Sequence, residues 1–166
     1  MRNALNTSTD FTSHHIEGIA REGNVPFSVP LITPIDEGFW QGGCIDGVSL
    51  VGKFKHVISL YPWERYEPGC ELDTALTIRL YDSGTVPDPA QLYSVATLVN
   101  VCRKLGPTLV HCQAGLNRSG LVAGLALVLG GMEPDAAIQK LRESRSPAVL
   151  CNKAFEKWLR EQGVSK

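Results

Sequence analysis

Residues 108–130 constrain the fold more than any other stretch. They read TLVH, then CQAGLN, then RSGLVAGLALVLG. The first segment has the length and apolar character of a buried strand. The last is a helix apolar on every face. A chain that joins a fully buried strand to a fully buried helix through a short loop has few options. The strand lies inside a sheet, and the helix packs on that sheet.

The rest of the chain agrees. Residues 31–35 and 38–41 read as short strands around an Asp-Glu-Gly turn, and residues 46–54 as a short helix. Residues 56–60 form an apolar run of strand length, 62–73 a polar loop with prolines, and 75–81 an alternating strand. Asp88-Pro89 is a helix start, an Asp cap followed by proline at the first helical position. Leu92, Val95, Ala96, Val99 and Cys102 follow at helical spacing until Gly106-Pro107. Residues 134–145 read as an amphipathic helix with Ala137, Ile138 and Leu141 inward. Asn152 caps a last helix carrying Phe155, Trp158 and Leu159, closed by Gly163. This alternation predicts an α/β fold, a central, mostly parallel sheet of about five strands flanked by helices. Ligands of such sheets bind at the carboxyl ends of the strands, where residues 112–117 lie.

The chain has 166 residues, 43% hydrophobic and 20% charged, enough for one domain with a real core. Residues 1–28 are polar and read as an N-terminal tail or loosely packed lead-in, leaving 29–166 as a single domain. His14-His15 has no companion ligands at metal spacing and reads as solvated. The net charge of -1 provides no global basic field for nucleic acid or an anionic membrane. The apolar run at 121–132 is glycine-interrupted and too short to span a bilayer, so no membrane is expected. Five cysteines at irregular spacing, with no C-x-x-C, argue against a disulfide framework or a zinc site. A reducing cytoplasm fits them, and neither a metal nor a cofactor is expected.

Residues 112–118 form one chemical device. A loop leaving a strand and entering a helix can turn its backbone N–H groups on one point, where the helix N-terminus adds partial positive charge. Gln113, Ala114, Gly115, Leu116 and Asn117 would thus bind a tetrahedral oxyanion, with Gly115 supplying backbone freedom. Arg118 is a planar fork that can grip two phosphate oxygens. Cys112 at the foot of this nest is favoured as a thiolate, placed for in-line attack on phosphorus. A preformed thiolate needs no base, so His111 reads as a buried organiser of the loop. Ser119 is placed to donate to the sulfur when it leaves.

HCQAGLNRSG closely resembles the H-C-x-x-G-x-x-R-S/T signature of protein tyrosine phosphatases, above all the dual-specificity subgroup. The resemblance extends over roughly residues 30–160. GFWQG at 38–42 is similar to that domain's first strand, FKHVISL at 54–60 to a later strand, and SRSP at 144–147 with Asn152 and Phe155 to its C-terminal segment. The resemblance implies a phosphatase using a phosphocysteine intermediate and a general acid, an Asp upstream of the cysteine. Asp82 ends a strand and opens a loop, whereas Asp88 already serves as helix cap, so Asp82 is the expected acid. Arg145 sits where some dual-specificity enzymes hold an arginine that touches a second phosphate. The expected substrate is a phosphorylated protein or peptide, carrying phosphotyrosine and also phosphoserine or phosphothreonine. Tyr61, Trp63 and Tyr66 are candidates for a pocket wall, and compactness predicts a shallow pocket. Asn117 departs from the usual Ser and resembles the RNA 5′-triphosphatase branch, in which nucleic acid is the partner. Gln113-Ala114 departs from that branch's Thr-His. A non-catalytic phosphate-binding pseudophosphatase is a third reading, opposed by the presence of both Cys112 and Arg118.

Overall fold

The computed structural model of the protein describes residues 10–163. A short 3-10 turn, Phe11–Ser13, precedes seven strands: β1 (His15–Ile19), β2 (Pro26–Pro30), β3 (Ile32–Asp36), β4 (Phe39–Gly42), β5 (His56–Ser59), β6 (Thr74–Thr77) and β7 (Thr108–His111). The helices are α1 (Pro89–Leu105), α2 (Arg118–Leu129), α3 (Pro134–Ser144) and α4 (Lys153–Arg160).

Five strands form the central sheet in the order β3-β4-β7-β5-β6. β3 runs antiparallel to β4, and the remaining pairs are parallel. The mostly parallel five-stranded sheet expected from the sequence is therefore present. β5 and β7 sit inside it and are buried along their whole length, as strands covered on both faces must be. Alternate residues serve two separate cores. Phe39, Ile58 and Val110 face a core filled by all four helices. Val57 and Leu109 face Leu50, Phe54, Tyr66 and Phe11 on the other side.

The caps form as the sequence dictates. Asp88 Oδ1 accepts from Ala90 N at 3.0 Å, and Asn152 Oδ1 accepts from Ala154 N and Phe155 N. α2 runs through the centre and is buried along nearly its whole length. Among the described residues no helix is long and apolar enough to cross a membrane.

Two expectations are corrected. Residues 46–54 form turns instead of a helix: Gly47 and Gly52 adopt φ of 78° and 70°, Val51 adopts 50°, and this left-handed backbone cannot continue a helix. The second is the loosely packed lead-in. Its residues 1–9 lie outside the described ones. Residues 15–30, however, form an antiparallel hairpin, with Ile16 opposite Val29 and Gly18 opposite Phe27. Val29 and Ala20 are buried, and Leu31 N donates to His14 O at 2.9 Å.

Candidate active site

β7 delivers His111 and Cys112 to the carboxyl edge of the sheet, and the chain turns through residues 113–117 into α2. The turn lies flat on the end of β4. Gly115 has φ of 73°, and a Cβ there would come within 2.5 Å of the Gly42 carbonyl carbon. A side chain at 115 would therefore be strained by backbone and crowding together. Gly43 is equally pressed, its missing Cβ 2.6 Å from Gln113 O.

Cys112 Sγ lies at the foot of this loop and is nearly inaccessible. Gly115 N–H donates to it at 3.3 Å, and Ser119 Oγ lies 3.3 Å away. Gln41 Nε2, from β4, donates to Ser119 Oγ and to Gly115 O, both at 3.1 Å. Among the described residues the backbone N–H groups of Gln113, Ala114, Leu116 and Asn117 make no hydrogen bond, so they remain available to an oxyanion. Arg118 is buried; Nη1 donates to Leu80 O at 3.3 Å, and its guanidinium lies 5.1 Å from the centre of the Tyr61 ring. Arg118 Nε is buried without a partner among the described residues, a donor fitted to an anion.

His111 points away from this pocket. Its ring meets Tyr66 edge-on at 5.1 Å, and Nδ1 donates to Cys112 O at 3.2 Å, fitting the role of loop organiser. Burial pulls its imidazole down to about 4, against the upward pull of that bond to Cys112. In an unfolded chain an imidazole titrates near about 6.5. Below that pH the unfolded chain takes up a proton that the fold refuses. The contribution of a neutral His111 is thus complete above about 6.5 and is lost as pH falls toward about 4. The expected loss is on the order of 3 kcal/mol across that window. Denaturant melts at neutral pH and near pH 4.5 check it: His111→Asn should be less stable at neutral pH but lose less on acidification than the wild type. Parallel pH dependence in both proteins would refute the assignment.

Arg145 is not brought to the pocket. It ends α3 and turns inward, and every one of its donors is spent on the fold. Nε donates to Gly115 O at 2.7 Å, Nη1 to Pro30 O and Thr33 Oγ1 at 2.8 Å, and Nη2 to Ala114 O at 3.1 Å. The expected contact with a second phosphate is corrected on that ground: a guanidinium so occupied has nothing left to offer a ligand. Burial pulls Arg145 down to about 10, against Cys112 and Tyr66, which raise it, so it stays charged at neutral pH. Arg142 is likewise occupied, by Val149 O, Leu150 O and Glu156.

A cavity of about 890 Å³ opens above residues 112–118. Asp82 lines it, while Asp88 serves only as the α1 cap. Asp82 Oδ2 accepts from Asn117 Nδ2 at 3.0 Å and Oδ1 from Asn152 Nδ2 at 2.9 Å. Tyr61, Trp63 and Tyr81 form one wall, with ring centres 5.0 Å and 6.4 Å apart in succession. Tyr66 is absent from that wall and donates to Gly43 O at 2.6 Å beneath the loop. The opposite wall is the hairpin, through Ile16, Ala20, Arg21 and Phe27. The N-terminal segment thus supplies a side of the pocket. Cys44 also lines the cavity. Burial, then Glu64, Asp46 and Cys112, push its thiol up to about 12, so it stays protonated where a nucleophile must not.

Sequence reasoning missed Gln41, the second duty of Asn152, and the hairpin wall. A glutamine within FWQGG was the one usable signal, since a polar residue inside an apolar strand needs buried partners.

Residues 80–160 match the family model of the protein-tyrosine phosphatase domain. Human DUSP28 superposes with a TM-score of 0.64 at 16% identity, covering 80% of this chain and 92% of that one. DUSP15 gives 0.64 at 24% identity, over 78% and 85%. OH1 from the Orf virus, a tyrosine phosphatase described as having triple substrate specificity, gives 0.61 at 20% identity, over 80% and 86%. No curated protein matches the chain by sequence. Residues 80–160 thus match the protein-tyrosine phosphatase domain, and the chain as a whole has the dual-specificity phosphatase-like fold.

Proposed function

We propose that the protein is a metal-independent cysteine phosphatase that hydrolyses phosphotyrosine, and also phosphoserine and phosphothreonine, in proteins. The observation that carries this reading is Cys112 Sγ held under Gly115 N–H and Ser119 Oγ, at the floor of a cavity that Asp82 and Arg118 also line. A substrate phosphate seats on the loop amides and the Arg118 guanidinium, which supply the positive charge the transition state needs. Cys112 thiolate attacks phosphorus as the ester P–O bond breaks, and the Asp82 carboxyl protonates the departing oxygen. Water then attacks the phosphocysteine, Asp82 takes up its proton, the P–S bond breaks, and Ser119 donates to the released thiolate. Tyr61, Trp63 and Tyr81 offer ring faces to an aryl phosphate, favouring phosphotyrosine.

The test is phosphate release from phosphotyrosyl, phosphoseryl and phosphothreonyl peptides in excess EDTA. Turnover is expected to persist in the chelator and to be fastest on phosphotyrosine. Release from triphosphate-ended RNA alone, falling steeply with salt, would replace this reading by an RNA 5′-triphosphatase. Phosphate binding with no turnover of any substrate would make the protein a pseudophosphatase.

A further inference from the structure

Asn117 stands where the usual loop carries serine, and the phosphatase reading gives its side chain no task. The structure gives it three bonds to nitrogen and oxygen partners, beside Cys151 Sγ at 3.7 Å. It is 3% exposed; Nδ2 donates to Asp82 Oδ2 at 3.0 Å and to Glu22 O at 3.4 Å, and Oδ1 accepts from Asn152 N at 2.9 Å. Asn152 Nδ2 closes the circuit, donating to Asp82 Oδ1 at 2.9 Å and to Ser83 O at 2.8 Å. Phosphate loop, acid loop and the start of α4 thus meet in one ring of hydrogen bonds around a carboxyl group.

We infer that Asn117 is a positioning residue for Asp82, setting the acid's orientation relative to Cys112 from within the phosphate loop itself. This rests on the roles given above to Asp82 and Cys112. Each carboxyl oxygen takes one amide N–H, from a different element, which fixes both side-chain torsions. A carboxylate has about four acceptor sites, so one remains free on each oxygen for the transferred proton. Serine cannot substitute. Its hydroxyl ends one bond from Cβ and cannot reach Asp82 while also accepting from Asn152 N. Asn117 also immediately precedes Arg118, so acid, phosphate cradle and nucleophile share one rigid reference. Misplacing a reacting group by about 1 Å can cost on the order of a hundredfold in rate.

General acid help matters most when the leaving group is poor. The experiment therefore measures kcat/KM, which reports only the steps up to phosphocysteine formation, across aryl phosphates of graded leaving-group acidity, for wild type, Asn117→Ser, Asp82→Asn and the double variant. Asn117→Ser is expected to lose tenfold or more, about that scale, on phenyl phosphate and within about twofold on a fluorinated coumarin phosphate. In the Asp82→Asn background the Asn117 change should add nothing, the signature of two groups acting as one. Tungstate binding should survive it, showing an intact loop. An equal loss on every substrate, or a loss that adds to that of Asp82→Asn, would reduce Asn117 to a structural residue and overturn the inference. Should Asn117→Ser melt below the assay temperature, the same series is run at a lower temperature at which tungstate binding shows the variant folded. A wild type that turns over none of the series would instead overturn the phosphatase reading, and this inference with it.

Discussion

Cys112→Ser is expected to lower phosphate release from an aryl phosphate by at least about a thousandfold, while leaving the fold and the affinity for tungstate in place. The size follows from what is removed. The loop amides and Arg118 bind a phosphate whether the atom beneath is sulfur or oxygen, so binding and charge stabilisation persist. A serine hydroxyl at this position has no base to take its proton. His111 donates to Cys112 O, its ring faces Tyr66, and it does not line the cavity. The covalent step therefore stops. Thermal melts and tungstate titrations beside the assay separate this outcome from misfolding. Turnover persisting in Cys112→Ser at anything near the wild-type rate would end the phosphocysteine mechanism.

Arg145→Lys should be the most damaging change outside the pocket. The guanidinium bridges the carbonyls of Gly115, Ala114 and Pro30 and the hydroxyl of Thr33, a span that a single ammonium cannot cover. Breaking a buried polar cluster while keeping its charge costs about 3–5 kcal/mol. For a chain of this size that corresponds to a fall in Tm of roughly 6–20 °C. The effect reaches chemistry as well, because Gly115 is both a partner of Arg145 and the donor to Cys112 Sγ. Arg145→Lys should therefore show a lower Tm together with weakened tungstate binding. A small Tm change with intact binding would mean that the buried network contributes little.

These two predictions also mark what was legible in the sequence. Residues 108–130 announced strand, loop and helix because each obeys a local rule: apolar run, glycine at a left-handed turn, apolar helix behind it. Cys112, Arg118 and Ser119 were expected together from their spacing on that turn; Cys112 and Arg118 line one cavity, and Ser119 Oγ lies 3.3 Å from Cys112 Sγ. The cap role of Asp88 was legible because it is itself local, and Asp82, not Asp88, lines that cavity. Arg145 was not legible. It ends an amphipathic helix in a pattern any solvated charge would share, and its partners lie far away along the chain. The hairpin escaped for the opposite reason: HIEGI carries little alternation, and its strand is largely exposed. Residues 46–54 had helical spacing, but three left-handed backbone positions override it. Asn117 was visible as a departure, yet its meaning lies in Asp82 and Asn152, which sequence does not place beside it.

The bond from Arg145 Nη1 to Pro30 O closes a span of 115 residues. Contacts of such separation form only after the entropy of closing a long chain loop has been paid, so they arrive late in folding. The cradle that would hold phosphate leans on that contact through Gly115 O and Ala114 O. During synthesis, then, a chain emerging from the ribosome already exposes its cysteine long before it has a finished cradle. The cradle stays unfinished until α3 is out and docked, and a chain truncated before residue 145 would carry every residue of the signature without its shape.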